Sequence, residues 1–141
     1  MRIFRSHISI GQGIYRSLDA GKSWQLMGLE KTGRIARVVV HPTNPDIVFV
    51  AGMGHPYGPN DERGVFRTTN GGRTWEKVLF VDRNTGASQV ELDPQDPNTV
   101  YAALWEHREG PWENGSFSGP NTGFYRSNDG GTTWRKSSEG L

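Results

Sequence analysis

Short apolar runs alternate with turn-forming residues along this chain, and the alternation repeats. The apolar run 38–40 is followed by a connection with two prolines, Pro42 and Pro45, and then by a second apolar run at 47–51. The same order recurs 52 residues later, from Val90 to Ala103. Runs of this length that are rich in β-branched and aromatic residues predict strands, and prolines are confined to the connections between them. Each block therefore predicts a hairpin.

A second pattern occurs three times, each time after a Gly-apolar-aromatic-Arg tetrad. It consists of Ser17, Asp19, Gly21, Ser23 and Trp24, then Thr68, Asn70, Gly72, Thr74 and Trp75, and finally Ser127, Asp129, Gly131, Thr133 and Trp134. Asp and Asn side chains accept hydrogen bonds from nearby amides, here expected two residues on, and glycine readily adopts positive φ. The pattern therefore predicts a tight turn between two strands, beside which the indole packs.

Together the two patterns predict units of four short antiparallel strands. One unit has strands at 35–41, 47–53, 64–69 and 74–80, the next at 88–93, 99–105, 123–127 and 133–137, and a half unit at 13–17 and 23–27. A four-stranded sheet repeated about every 50 residues is typical of a propeller blade. The expected fold class is all-β: a β-propeller segment of about two and a half blades. We expect one segment over 1–141, with a half blade at 1–30 and blades at 31–82 and 83–141.

Composition and charge exclude several classes of site and partner. The 141 residues include 19 glycines and 8 prolines, which fits a fold rich in turns. The net charge is +1 with no block of basic residues, which argues against a nucleic-acid partner. The lack of cysteine excludes a disulfide, a thiol nucleophile and a cysteine-based zinc site. No apolar run is long enough to insert into a membrane, and residues 1–9 do not resemble a signal peptide.

Two and a half blades leave two open sheet edges, and such edges favour pairing with another chain. We therefore expect the chain to be a fragment. Its expected partners are the remaining blades of a parent propeller or other copies of itself.

The three repeated turns resemble the Asp-box, or BNR repeat, of sialidase-type and sortilin-type propellers. Ala20, where glycine is common, and Asn70, which replaces aspartate, are the departures from that motif. From about Gly11 onwards the chain also resembles large secreted bacterial proteins with sortilin-like propellers, through stretches such as 33–36, 40–46 and 55–64. The resemblance implies a secreted or periplasmic parent with many blades. Its relatives are often called glycosyl hydrolases, without an assigned reaction.

The long connections between the second and third strands of each blade fall on one face of the expected disc, where binding residues usually lie. Two interpretations of these loops remain open. The loops either line a groove for a glycan or a peptide, or pack on each other while their histidines hold backbone carbonyls. The candidate ligand-binding residues are His55, Tyr57, Asn60, His107, Trp112 and Asn121.

The same face carries the carboxylates that a glycosidase would need. They are Asp61, Glu62, Asp82, Glu106, Glu109 and Glu113, and none lies in a recognisable motif. Arg16, Arg67 and Arg126 recur at one position of the repeat, which favours contacts between strands or blades over a sialidase site. We therefore expect no catalytic residue, cofactor or metal in this segment. The predicted function is a binding scaffold for protein, peptide or glycan; the alternative is part of a propeller glycoside hydrolase of the sialidase or xyloglucanase type.

Overall fold

Antiparallel strands joined in sequence order by turns make up the computed structural model, which describes residues 10–55, 57–108 and 117–137. A two-stranded hairpin comes first, with strands β1 (Tyr15–Arg16) and β2 (Gln25–Leu26). A short 3-10 helix at Glu30–Thr32 then leads into the first four-stranded sheet.

Both sheets are simple meanders in which each strand pairs with the next one along the chain. The first contains β3 (Ile35–Val40), β4 (Val48–Gly52), β5 (Gly64–Thr68) and β6 (Glu76–Leu79). The second contains β7 (Thr85–Leu92), β8 (Val100–Glu106), β9 (Gly123–Ser127) and β10 (Arg135–Lys136). This arrangement confirms the predicted fold class, an all-β segment of four-stranded antiparallel blades.

The hydrophobic core lies where β7 packs against β3, β4 and β5 of the preceding sheet. Phe49, Ala51, Val90 and Val100 are among its buried members. Consecutive residues of a strand point to opposite faces, so the burial of Phe49, Val50 and Ala51 in a row shows that β4 is covered on both sides.

The prediction for β7 was wrong at its start, because the strand begins at Thr85 and not at 88. Thr85 pairs with Glu106, and a bulge between Ala87 and Gln89 then resets the register. Such a bulge interrupts the alternation by which a strand is recognised in a sequence. A side-chain bond from Thr85 Oγ1 to Asp82 Oδ1 (2.9 Å) fixes the entry into the strand.

The repeated turns close through their own side chains, as the third one illustrates. Ser127 Oγ donates to Asp129 Oδ1 (2.7 Å) and accepts from the amide of Gly131 (2.9 Å). Asp129 Oδ1 also accepts from the amides of Thr132 (3.0 Å) and Thr133 (2.8 Å), and its Oδ2 accepts from the hydroxyl of Thr133 (2.6 Å). The first two turns share the bonds between hydroxyl, Asx side chain and glycine amide.

The prediction that the Asx side chain accepts from the amide two residues on was wrong. In the first turn Asp19 Oδ1 accepts from the amide of Ser23, four residues on. The amide of Asp19 itself donates to the hydroxyl of Ser17, two residues before it. This bonding also explains why β2, β6 and β10 begin two residues later than predicted. Ser23, Thr74 and Thr133 bond to the turn and not to a strand.

Hydrogen bonds to the turn carboxylates favour their charged form. The side-chain hydrogen bond from Ser23, followed by the Ser23 amide and Ser17, lowers the pKa of Asp19 to about 2. The equivalent bonds from Thr133 hold the pKa of Asp129 far below its usual range.

Arginines of the repeated tetrad join one unit to the next, as the sequence suggested. Arg16 Nη1 donates to the carbonyl of Gly71 (3.2 Å), and Arg67 Nη1 donates to the carbonyl of Gly130 (2.6 Å). Both glycines lie in the left-handed region, with φ 72° and 67°, and Ala20 occupies the same place in the first turn with φ 58°. The third arginine, Arg126, lies over the ring of Tyr101 at 5.7 Å from its centroid.

Substituting alanine at Gly71 and at Gly130 separates backbone strain from crowding. A Cβ at Gly130 meets nothing within 4 Å, whereas one at Gly71 comes within 2.6 Å of Arg16 Nη1 and 2.8 Å of Asp46 Oδ1. We expect Gly130→Ala to cost about 1 kcal/mol, from the left-handed backbone alone, and Gly71→Ala to cost at least about twice that. Urea unfolding measures both; equal losses would mean that a Cβ at Gly71 is accommodated without crowding and would contradict this prediction.

The indoles of the repeated turns differ in burial, so their loss should differ too. Trp75 is half-buried and its Nε1 donates to the carbonyl of Met27 (2.6 Å), whereas Trp24 is 63% exposed. We expect Trp75→Ala to lower the free energy of unfolding by about 2 kcal/mol, and the matched Trp24→Ala by less than about 1 kcal/mol. Thermal unfolding of the two variants checks this order, and a larger loss at Trp24 would refute it.

Candidate functional site

A buried arginine joins three loops at the end of the sheets opposite the repeated turns. Arg63 is fully buried and lies just before β5. Its Nη1 donates to the carbonyls of Asn84 and His107, both at 2.9 Å. Its Nη2 donates to the carbonyls of His55 (2.9 Å) and Gly58 (3.4 Å). One side chain thus holds the connection between β4 and β5, the one between β6 and β7, and the end of β8.

The charge of Arg63 is balanced by carbonyl dipoles and by one carboxylate at longer range. Burial lowers the pKa of Arg63 from its ordinary value, and the negative charge of Asp82 opposes that shift. Arginine stays protonated under these conditions because its ordinary pKa is so high. Its Nε has no partner among the described residues.

His107 lies beside this arginine and is only 2% exposed. Its Nδ1 is 3.3 Å from Arg63 Nη1, and its ring stacks on Trp105 with the centroids 4.3 Å apart. Burial, reinforced by the positive charge of Arg63, lowers the pKa of His107 to about 4. The imidazole is therefore neutral at pH 7. Its Nε2 is shielded from solvent and has no partner within the described part of the chain.

Asp82 anchors the next part of the cluster. Its Oδ1 accepts from the amide of Asn84 (2.7 Å) and its Oδ2 from Asn121 Nδ2 (2.7 Å). Burial alone would raise the pKa of Asp82, but these hydrogen bonds and that of Thr85 outweigh it and lower the pKa. A carboxyl group held ionised in this way is poorly suited to donate a proton to a leaving group.

A small polar cleft of about 200 Å³ opens beside the cluster, lined by Asn84, Glu106, His107 and Arg108. Glu106 Oε2 accepts from the amide of Asn121 (3.1 Å), which fixes the carboxylate at the rim. Asn84 Oδ1 is a second buried polar atom without a partner among the described residues.

Aromatic side chains continue from the cleft. The ring of Phe117 lies 6.2 Å from that of Trp105, and the Trp105 Nε1 donates to the Phe117 carbonyl (2.8 Å). Phe117 is 52% exposed. A polar cleft beside exposed aromatic rings is a common composition of ligand sites.

The structure brings most of the predicted binding residues to this face, in unequal roles. The carbonyls of His55 and His107 both accept hydrogen bonds from Arg63. A buried arginine thus holds the loop carbonyls, which one of the two interpretations had assigned to the histidine rings. Asn60 Nδ2 donates to the carbonyls of His55 (2.9 Å) and Gly58 (3.2 Å), which makes it part of the loop scaffold. Tyr57 is 53% exposed.

Asn121 links Asp82 to the hydroxyl of Tyr125, which donates to the Asn121 carbonyl (3.0 Å). Trp112, Glu109 and Glu113 lie outside the described residues. The assignment of His55, Tyr57, Asn60, His107, Trp112 and Asn121 to ligand binding stays a prediction.

Sequence reasoning missed Arg63 and Asn84. The repeat gave no signal for Arg63, because the residue before the strand glycine is Gln12 in the first unit and Thr122 in the third. A charged residue in front of a strand ordinarily indicates a solvated loop, and only the structure shows carbonyls converging on it.

Across residues 10–55, 57–108 and 117–137, no three His, Asp or Glu side chains lie close enough together to hold a metal ion. No helix in those ranges has the length and apolarity that crossing a membrane requires.

The sequence of residues 12–141 matches the family model described as "Sortilin, neurotensin receptor 3". Comparison with curated proteins yields no match.

Among solved structures, the fold is similar to an ancestral GH74 enzyme (24% identity, TM-score 0.66) and to the GH74 xyloglucanase from Xanthomonas campestris (21% identity, TM-score 0.61). A GH74 enzyme from Niastella koreensis is also similar (16% identity, TM-score 0.54). The matches cover 91%, 91% and 89% of this chain but 15%, 18% and 26% of the respective enzyme chains. At identities this low, the structural similarity shows a shared fold alone.

The neutral His107 makes stability depend on pH in a defined window. Its folded-state pKa of about 4 lies below the ordinary value of 6.5, so as the pH falls the unfolded chain takes up this proton first. The stabilisation is complete above pH 6.5 and is lost between pH 6.5 and 4, by about 2–3 kcal/mol. His107→Gln should flatten this part of the profile. Urea unfolding from pH 8 to 4 measures it, and identical slopes for the two proteins would contradict the buried neutral imidazole.

Proposed function

The chain belongs to the Sortilin-Vps10 family, and from that premise we propose that it is part of a secreted propeller that serves as a binding scaffold. The scaffold presents the polar cleft beside Arg63 to a glycan. The observation that carries this proposal is the cleft itself, which is lined by Asn84, Glu106, His107 and Arg108 and lies next to the stacked rings of Trp105 and Phe117.

A glycan suits this chemistry better than a charged ligand does. Sugar hydroxyls both donate and accept, so they suit a cleft whose lining combines an amide, an imidazole, a carboxylate and a guanidinium. Glu106 and Arg108, on the other sides of the cleft, can form charge-assisted bonds with hydroxyls. The apolar faces of a sugar ring pack on aromatic side chains such as Phe117. A peptide ligand is the main competitor, and it would not need the Glu106 carboxylate.

The repeated turns play a structural part in this proposal. They lie at the other end of the sheets, and the carboxylates of the first and third turns accept hydrogen bonds from within their own turns. We propose that they are the Asp-boxes of this family of propellers and that they hold the strands which carry the loops.

A first test titrates the chain with xyloglucan oligosaccharides, chosen because one structural neighbour is a xyloglucanase. We expect saturable heat release in calorimetry. Glu106→Gln should weaken the affinity about tenfold, which corresponds to the loss of one charge-assisted hydrogen bond of about 1.4 kcal/mol. The matched control Glu76→Gln lies on β6, outside the cleft, and should bind like the unmodified chain.

Two results would count against the glycan scaffold. One is the absence of binding to xyloglucan and cellulose oligosaccharides alike; the other is an equal loss in both glutamine variants. The same samples are assayed for new reducing ends. Their release would favour the hydrolase alternative, and the Glu106→Gln variant would then show whether this carboxylate takes part.

A further inference from the structure

Asn121 lies in a turn at the edge of the polar cleft and bonds to three other parts of the chain. Its side-chain Nδ2 donates to Asp82 Oδ2 (2.7 Å), in the connection between the two sheets. Its backbone amide donates to Glu106 Oε2 (3.1 Å) at the end of β8. Its carbonyl accepts from the hydroxyl of Tyr125 (3.0 Å) on β9. This one residue therefore joins the carboxylate of the cleft to the segment that links the sheets.

The carboxylate of Glu106 packs directly on the same turn. A Cβ at Gly119 would overlap Glu106 Cδ and both carboxylate oxygens, so the carboxylate rests where only a glycine leaves room. The turn is closed by a bond from the Thr122 amide to the Gly119 carbonyl (3.0 Å), and the Glu106 amide donates to Thr122 Oγ1 (3.0 Å). Lys136 Nζ on β10 donates to the carbonyl of Pro120. The turn is thus tied to the strands on both sides of it.

The equivalent asparagine of the first sheet serves as an internal comparison. Asn60 and Asn121 each end a Gly-Pro-Asn sequence. Asn60 Nδ2 donates to the carbonyls of His55 (2.9 Å) and Gly58 (3.2 Å), which belong to its own loop. Asn121 Nδ2 instead donates to a carboxylate 39 residues earlier in the chain. The second asparagine therefore couples two segments, whereas the first closes one loop.

We propose that Asn121 is a positioning residue, which holds the Glu106 carboxylate in place for the ligand and is itself held by Asp82; this inference rests on the proposed glycan binding. Asp82 Oδ1 accepts from the Asn84 amide (2.7 Å) and the Thr85 hydroxyl (2.9 Å), which orients Oδ2 towards Asn121. Asn121 then presents its own amide to Glu106 and acts without touching the ligand. A carboxylate that is already held in one orientation loses less conformational entropy on binding.

Exchanging the donor and the acceptor tests the bond to Asp82. Asn121→Asp places a second carboxylate against that of Asp82, so repulsion replaces the bond. The affinity for xyloglucan oligosaccharides should fall about tenfold, as for Glu106→Gln. In the double variant Asp82→Asn/Asn121→Asp, the side-chain amide at position 82 can donate to the carboxylate at position 121, while its oxygen keeps the bonds from Asn84 and Thr85. The affinity should return to within about threefold of that of the unmodified chain, at the same net charge.

Two further variants control for charge and for the place of the carboxylate. Asn44→Asp adds the same charge at the other end of the sheets, where the side-chain oxygen accepts from the Asp46 amide, as an aspartate can, and it should bind like the unmodified chain. Gly119→Ala displaces the Glu106 carboxylate and should weaken binding about tenfold, with little further loss when it is combined with Glu106→Gln. Circular dichroism checks that every variant stays folded.

A measurement without ligand separates this inference from the glycan proposal. In ¹H–¹⁵N NMR spectra, Glu106→Gln should shift the amide signal of residue 121 in the otherwise unmodified chain, because that amide donates to the carboxylate. The same substitution should shift it much less in the Asn121→Asp background, and to the original extent in the background of the double variant.

The outcomes are distinct. An unchanged affinity of Asn121→Asp, or no recovery in the double variant, overturns the positioning role. An equal shift of the residue 121 amide in all three backgrounds overturns it as well. If the unmodified chain binds no glycan but the amide shifts follow the expected order, the glycan function fails and the placement of Glu106 by Asn121 stands.

Discussion

The first four-stranded sheet has buried apolar residues on both faces of β4, so it needs a neighbour on each side. The run Phe49, Val50 and Ala51 is buried residue by residue, which is possible only if something covers each side of β4. A strand with one solvated face would alternate apolar and polar residues instead. The second sheet meets this requirement on one side, where β7 packs against β3, β4 and β5.

The two ends of the sheets meet their polar requirements differently. The repeated turns are self-contained, since hydroxyl, Asx side chain and glycine amide complete one another within seven residues or so. At the loop end, the terminal N–H groups of the long-range donor Arg63 bond to carbonyls from three segments. Buried carbonyls without partners are costly, so this arginine sets the shape of the loops around the cleft.

The sequence predicted most of the fold because its signals were local and repeated. Strands β4, β5, β8 and β9 lie close to their expected bounds, since β-branched and aromatic runs flanked by prolines or glycines leave few alternatives. The start of β7 was not predicted, because a bulge and a Thr-Gly pair obscure the alternation of buried and exposed residues. At the candidate site, the equivalence of His55 and His107 was visible, but the role of their carbonyls was not. Contacts such as that of Arg63 with Asn84, 21 residues away, have no counterpart in local pattern.

The second turn also has a consequence for chemical ageing. Asn70 precedes Gly71, and an Asn-Gly pair is prone to deamidation, in which the glycine nitrogen attacks the asparagine side-chain carbonyl to form a succinimide. Here the amide of Gly71 donates to the carbonyl of Asp46 (2.9 Å), and Asn70 Oδ1 accepts from the amide of Thr74 (3.0 Å). Both reacting groups are hydrogen-bonded to other partners, so the fold protects the Asn70 side-chain amide from the attack that the Asn-Gly sequence favours. Deamidation to aspartate would install the residue that the other two turns already carry, whereas the isoaspartate product would lengthen the backbone at the point where Arg16 holds one unit to the next.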